Sequence, residues 1–331
     1  MDLNLKEILR QYGYESRAVA INRLEEMRDD IEQSRRRGQI SSLFYKERLK
    51  SFIFHPPSGF SKATNIIVAA FPQSQILIRF HWKRDALSVL LPPTYIYSPN
   101  ERLLKYLSNL LGPEGYRVAK TILPIKLLAV RSGLGAYGRN NLCYVGKMGS
   151  FCRLMAFYTD APIPSDEWSK PVLMDECRSC SACARACPTG AITFDRFLLR
   201  AEQCLTFLNE RPDPFPPGLA SAWHHCLFGC MRCQNVCPRN WEFTHKLEDS
   251  KFCFSDKETK MILASVPFGR IPASTQKKLK GLCLAGDYRL LSRNLTVLLD
   301  KEPRKIKKRS ELPGDQNKNR IKDIAGLEII E

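Results

Sequence analysis

The stretch "CRSCSACARACPTG", residues 177–190, constrains this chain more than any other. Cys177, Cys180, Cys183 and Cys187 stand at x2, x2, x3 spacing, and Pro188 follows the last of them. Structural zinc uses two pairs of ligands set a dozen or more residues apart, so four thiols in one short run fit it poorly. Three thiolates two residues apart suit a four-iron cube, because a tight loop aims them at three different irons, and the fourth then points to a second cube.

A second run, "CLFGCMRCQNVCP", holds Cys226, Cys230, Cys233 and Cys237 ahead of Pro238. Its x3, x2, x3 spacing departs from the bacterial ferredoxin pattern at the first member. Two cubes need eight thiolates. Cys204, in "RAEQCLTFL" between the runs, supplies the eighth, with Cys226 as its competitor. The expected sets are Cys177, Cys180, Cys183 and Cys237 on one [4Fe–4S] cluster, and Cys187, Cys204, Cys230 and Cys233 on the other. Shared ligation by both runs places the cubes close together, as an electron path. Arg178, Arg185, Arg232 and Arg239 either balance local charge or dock an acidic electron donor of flavodoxin or ferredoxin type. His224 and His225 read as packing or hydrogen-bonding residues. Cys143, Cys152, Cys253 and Cys283 lack metal spacing and read as small buried side chains.

Nine of the thirteen cysteines lie between Cys177 and Cys237, a clustering that favours metal binding in a reducing compartment over a disulfide framework. No apolar run reaches the ~18 residues of a membrane span, and "MDLNLKEILRQYG" reads as a charged helix rather than a signal peptide, so a cytoplasmic protein is expected. The net charge of +17 is either a solvated basic surface or a sign of an acidic partner, whether nucleic acid or carrier protein.

Helices and strands alternate through the first 160 residues, predicting an α/β or α+β domain. Leu5, Ile8, Leu9 and Tyr12 mark an opening helix stopped at Gly13, and a charged helix follows near 21–37. "NIIVAAFP" (65–72) predicts a buried strand. "SPNERLLKYLSNLLG" predicts a helix with Ser98 as N-cap, Pro99 at its first position and Glu101 completing a capping box. "PIKLLAVRS" predicts another helix. "NLCYV" and "FCRLMAFYT" predict paired strands around "GKMG". Residues 161–175, with three prolines, read as a linker. Those after about 245 read as mostly helical, and 301–320 as a basic, poorly ordered stretch.

"GLGAYG" places Gly133, Gly135 and Gly138 in a GxGxxG pattern. A dinucleotide site needs a strand before the glycines and a helix after them, and here a helix precedes and a hairpin follows. The glycines still imply a sharp turn or a close approach, and Tyr137, Arg139, Asn140 and Asn141 add hydrogen-bond donors.

With these motifs the chain resembles the epoxyqueuosine reductase family. The likeness rests on "RSGLGAYGRNN…GS", on "CRSCSACARACPTGAI…QCLTFL…GCMRCQNVCP" and on "SRNLTVLL". It implies an α/β (α+β) domain like that of cobalamin-dependent reductases over residues 1–165, and a ferredoxin-like double [4Fe–4S] domain over 166–245. A helical C-terminal segment (246–300) and a flexible basic tail (301–331) would follow. It implies cobalamin above the clusters, faced by Gly133, Gly135, Tyr137, Gly138, Arg139 and Asn141, and a tRNA nucleoside as a substrate. The family's proton-donor aspartate has no counterpart in "VAKTILPIKLLAV", where Lys120 and Thr121 stand near its place. Tyr95, Tyr97 or Lys120 are substitutes for it. Without that acid, the alternative is an electron-transfer protein that keeps the clusters but lacks the chemistry.

Overall fold

The computed structural model describes residues 4–164, 168–244 and 246–300. Its strands are β1 (Glu15–Ala20), β2 (Asn65–Pro72), β3 (Gln75–Trp82), β4 (Asp85–Leu91), β5 (Val118–Lys120), β6 (Ala136–Tyr137), β7 (Cys143–Tyr144), β8 (Cys152–Thr159) and β9 (Leu247–Phe254). β1, β2, β8 and β5 form one antiparallel sheet in that order.

β2 lies inside this sheet and is buried along most of its length, as its unbroken apolar run implies. Side chains alternate across a strand, so the sheet feeds two cores. Ile66, Val68, Ala70, Ala156 and Tyr158 pack with Leu24 and Met27 of helix Leu24–Arg36 and with Leu128 and Val130 of helix Ile125–Arg131. Ile67, Ala69, Met155 and Phe157 pack on the other face with Leu5 and Leu9 of helix Leu5–Gln11 and with Leu103, Leu107 and Leu111 of helix Ser98–Leu111. The result is a mixed layer architecture with helices on both faces of the sheet.

Two expectations need correction and a third, the mostly helical region after 245, gains a strand. The strand β8 does not pair with β7 around "GKMG"; it pairs with β2 and β5, while β7 pairs with β6. Long-range burial of an eight-residue apolar strand outweighs the local turn. The helix at 98–111 is capped one residue early, at Tyr97, with no side-chain cap bond, and Glu101 instead pairs with Lys120 at 2.8 Å. The region after 245 opens with a strand: Phe252 and Phe254 alternate at period two, Phe254 stacks on Phe80, and β9 runs parallel to β3.

The sheet β4–β3–β9 packs on the C-terminal helices Asp256–Leu263, Ala273–Gly281 and Tyr288–Leu299. Leu227 and Phe228, just ahead of Cys230, are buried in this same core. Among the described residues no helix is long and apolar enough to cross a membrane. Residues 165–167 of the expected linker and all of 301–331 lie outside the described residues.

Candidate iron–sulfur centre and the cleft beside it

The first cysteine loop runs from a 3-10 turn (Asp175–Cys177) to the short helix Ala182–Ala186, and Cys237 follows the helix Arg232–Asn235. Cys177, Cys180, Cys183 and Cys237 line one small cavity together with Arg139, Asn140 and Tyr144. Four thiols from two distant runs thus converge on one space, the set that the spacing assigns to one cube. Burial pushes the Cys183 thiol up to about 11, with Cys177, Cys237 and Cys180 adding to the rise. Burial also raises Cys177, against a lowering by Arg139. A cube bound here would displace those protons, since only thiolates ligate iron.

The second set is Cys187, Cys204, Cys230 and Cys233. Cys204 caps the helix Leu205–Asn209. Burial raises its thiol, while the nearby amides of Thr206 and Phe207 and the Thr206 hydroxyl pull the other way; Cys187 adds to the rise. Burial pushes Cys230 up to about 12, and both Cys204 and Cys187 contribute. Cys233 is raised well above its ordinary value by burial and then by Cys230, Cys204 and Cys183, the last of which belongs to the first set. Cys226 is buried elsewhere, against Phe151 and Met231. His225 accepts the Met231 amide at 3.0 Å, and the His224 ring packs tilted against Phe215. Cys143 and Cys152 are buried as expected, but Cys253 is exposed, because it points to the open face of β9.

The four loop arginines have local partners: Arg178 pairs with Asp175 at 3.0 Å, Arg239 with Glu176 at 3.7 Å, Arg185 bonds Ser181, and Arg232 donates to the Trp223 and Ala222 carbonyls.

The glycine segment runs from helix Ile125–Arg131 into the β6–β7 hairpin, the helix-then-hairpin context that excludes a dinucleotide turn. Arg131 anchors the helix by pairing with Glu26 at 2.5 Å and Asp30 at 2.9 Å. Gly133 adopts a φ of +69° and borders open space. Gly135 and Gly138 are required by the protein's own packing. A Cβ on Gly135 would lie 2.4 Å from the Tyr144 carbonyl, and one on Gly138 2.5 Å from the Tyr144 ring. Tyr137 exchanges backbone hydrogen bonds with Val172 and Met174 and sets its ring edge against Phe197. Arg139 donates to the carbonyls of Cys177, Arg178 and Cys180. Asn141, at a φ of +54°, is held by bonds to the Phe197 carbonyl and the Leu199 amide. The polar groups of this segment are therefore spent on the cysteine loops.

The other two family-like segments do the same. In "GKMGS", Ser150 and Asn240 exchange two hydrogen bonds, and a Cβ on Gly149 would lie 2.4 Å from the Asn240 side chain. In "SRNLTVLL", Arg293 donates to the carbonyls of Leu208, Asn209, Arg211 and Asp213, and Asn294 to those of Asn209 and Leu227. This staple joins the Cys204 helix to the turn that precedes Cys230.

Sequence reasoning missed three residues at the site, Tyr144, Lys126 and Glu210. Asn140 bonds the Tyr144 hydroxyl and the Cys233 thiol, and Tyr144 also bonds Cys237. Lys126 is exposed by area, yet burial lowers the pKa of its ammonium, with Cys204, Cys143, Glu210 and Cys233 facing it. The ammonium is thus crowded by protein on the side of the second cysteine set, although the residue reaches solvent. Glu210, raised by burial, accepts from the Tyr95 hydroxyl and pairs with Arg48 at 3.2 Å. No motif announces Lys126 or Glu210, which only the fold brings together. Of the expected acid substitutes, Lys120 is on the surface with Glu101, Tyr97 is exposed against Arg153, and Tyr95 is buried on Glu210. The Thr121 hydroxyl is used on the Ala156 carbonyl.

Residues 176–240 match the family described as 4Fe-4S double cluster binding domain, so the chain's cofactors include two [4Fe–4S] clusters. Epoxyqueuosine reductase of Leadbetterella byssophila is 33% identical over 141 residues, 42% of this chain and 45% of that protein. Its Pseudomonas aeruginosa counterpart is 34% identical over 177 residues, 52% and 46% of the two chains. The matched region thus spans less than half the length of either relative. The solved epoxyqueuosine reductase of Streptococcus thermophilus superposes with a TM-score of 0.62 at 18% identity, over 90% of this chain and 81% of that one. An epoxyqueuosine reductase with a tRNA-Tyr epoxyqueuosine-modified tRNA stem loop superposes at 0.57 and 22% identity, over 92% and 87%.

Proposed function

The chain is a divergent relative of the epoxyqueuosine reductases and has their fold; from that premise we propose that it is an iron–sulfur oxidoreductase. Electrons would enter through two [4Fe–4S] clusters and be delivered to a substrate in the cleft beside the second one. The observation that carries the reading is the cavity where Cys177, Cys180 and Cys183 of the first run meet Cys237 of the second, with Lys126 set against Cys204 and Cys233 of the other four. We take residues 1–165 as the substrate part, 166–245 as the cluster part and 246–300 as the support for the second set.

Cobalamin fits this plan as a further cofactor, because the cleft is open at Lys126 and Gly133 borders free space. Bound there, it would supply a low-potential cobalt centre for a two-electron reduction. The cleft-facing residues proposed for it are Gly133 and, through the hairpin they shape, Gly135, Tyr137, Gly138, Arg139 and Asn141. Cys187, Cys204, Cys230 and Cys233 hold the nearer cube. Loss of oxygen from a substrate needs a donor at the leaving atom. Lys126 Nζ is the cleft group we assign to that task, with Glu210 and Tyr95 held in place behind it by Arg48. The proposed substrate is a modified tRNA nucleoside, which suits the basic charge, and the electron donor is an acidic flavodoxin- or ferredoxin-like protein.

The alternative is a carrier that passes electrons on without chemistry of its own. It is favoured by one observation, the hydroxyl of Thr121 spent on the backbone where the family has a carboxylate. Anaerobic reconstitution followed by addition of cobalamin and epoxyqueuosine-containing tRNA separates the two. The reductase reading expects a changed corrinoid spectrum and queuosine formation. Intact clusters with neither result would leave the carrier reading.

A further inference from the structure

The cavity of the first cysteine set has one charged wall. Arg139 lines it beside Cys177, Cys180, Cys183 and Cys237. Its Nη2 donates to the Cys177 carbonyl at 2.5 Å and to the Arg178 carbonyl at 3.1 Å, and its Nε to the Cys180 carbonyl at 3.3 Å. Phe194 packs against the guanidinium at 4.5 Å. Arg139 itself is fixed by the hairpin, where Gly138 touches Tyr144 and Asn141 is bonded on both sides of its amide.

We propose that Arg139 is the positioning and potential-setting residue of the first cube. Its fork ties together three carbonyls of the turn that presents Cys177 and Cys180, which fixes the direction of both thiols. A planar fork matches such a set of acceptors as an ammonium does not. Its charge is permanent, and it lines the cavity that the cube would fill. Adding an electron makes the cube more negative, so a neighbouring cation stabilises the reduced form and raises the reduction potential. Arg139 thereby couples the glycine hairpin of the substrate part to the energy of the first electron-transfer step.

This inference rests on the two-cluster reading, and the test separates the two. The full chain is reconstituted anaerobically, its iron is counted, and both midpoint potentials are read by EPR-monitored redox titration for the wild type, Arg139→Gln and Arg139→Lys. The wild type should hold about eight irons. Arg139→Gln should move one potential to a more negative value and leave the other in place, and Arg139→Lys should move it less. If Arg139→Gln instead drops to about four irons while Arg139→Lys keeps about eight, the positioning role stands on the loss itself. Unchanged potentials at full iron in Arg139→Gln, or an equal shift of both, would overturn the proposal. A wild type that takes up no four-iron cluster would overturn the cluster reading instead.

Discussion

The two cysteine sets differ in how their ligands are spaced along the sequence and in what holds them in space. The first is gathered by a single loop plus Cys237, and its surroundings are open, with Arg178 and Asp175 largely solvent-exposed. The second draws on three separate segments, and burial raises the thiols of Cys204, Cys230 and Cys233 alike. The first is braced by one arginine from the glycine hairpin. The second is braced by the Arg293–Asn294 staple, which reaches it from the C-terminal helix. A short loop of closely spaced ligands needs little outside support, whereas ligands far apart in sequence must be positioned by the rest of the fold. On the proposed function, the first cube would be the one to meet a donor and the second the one to serve the substrate.

The sharpest way to break this comparison is to cross the sets. Cys237→Ala should strip the first cube although it belongs to the second run, and Cys187→Ala should strip the second although it belongs to the first. Each should leave about four irons of about eight, with a different EPR signal surviving. The same signal surviving in both would mean that the ligands are not crossed.

Next in size is the cleft. Lys126→Gln should retain iron and lower the rate of substrate reduction by about 10²-fold or more, the usual contribution of a positioned acid. Full activity in that variant would remove Lys126 from the mechanism.

Asn294→Leu leaves the Leu227 carbonyl without its donor, while Arg293 still serves that of Asn209, a loss of about 1–3 kcal/mol. Denaturant unfolding should show it, and the EPR signal of the second cube should broaden while the first one stays sharp. Equal effects on both would reduce the staple to general stability.

The glycines divide in the same way. Gly135→Ala meets the Tyr144 backbone and should cost up to about 3 kcal/mol. Gly133→Ala meets open space and pays only for its left-handed backbone, about 1 kcal/mol.

The smallest effect lies away from both cubes. Burial alone would raise Glu258, but hydrogen bonds from Lys278, the Ser255 amide and Thr275 outweigh it and hold its pKa below the usual value. A depressed carboxyl stabilises above the unfolded pKa, and that contribution is lost as pH falls through the folded one. The gap in melting temperature between wild type and Glu258→Gln should therefore be widest near neutral pH and close in acid.

How much of this could be read from the sequence follows the distance over which each feature is determined. Cysteine spacing is local, so the two-cube pattern stood out at once, as did the apolar strand "NIIVAAFP". The partner of β8 was not legible, since β2 lies about eighty residues away and the nearby turn points to β7. Ser98 has the chemistry of a cap, but the chain enters the helix at Tyr97. Glycines signal close approach without naming what approaches; at Gly135 and Gly138 it is the protein's own Tyr144, Cys143 and Asn140, and at Gly133 there is open space. Lys126 and Glu210 carry no motif and come together only through the tertiary fold.

The central claim is that the eighth thiolate is Cys204, which ties the second cube to the cleft. Iron content and EPR spectra of reduced Cys204→Ala and Cys226→Ala test it most directly. The account predicts about four irons and loss of the second cube's signal in Cys204→Ala, with about eight irons and an unaltered spectrum in Cys226→Ala. Iron lost from Cys226→Ala and kept by Cys204→Ala would contradict it.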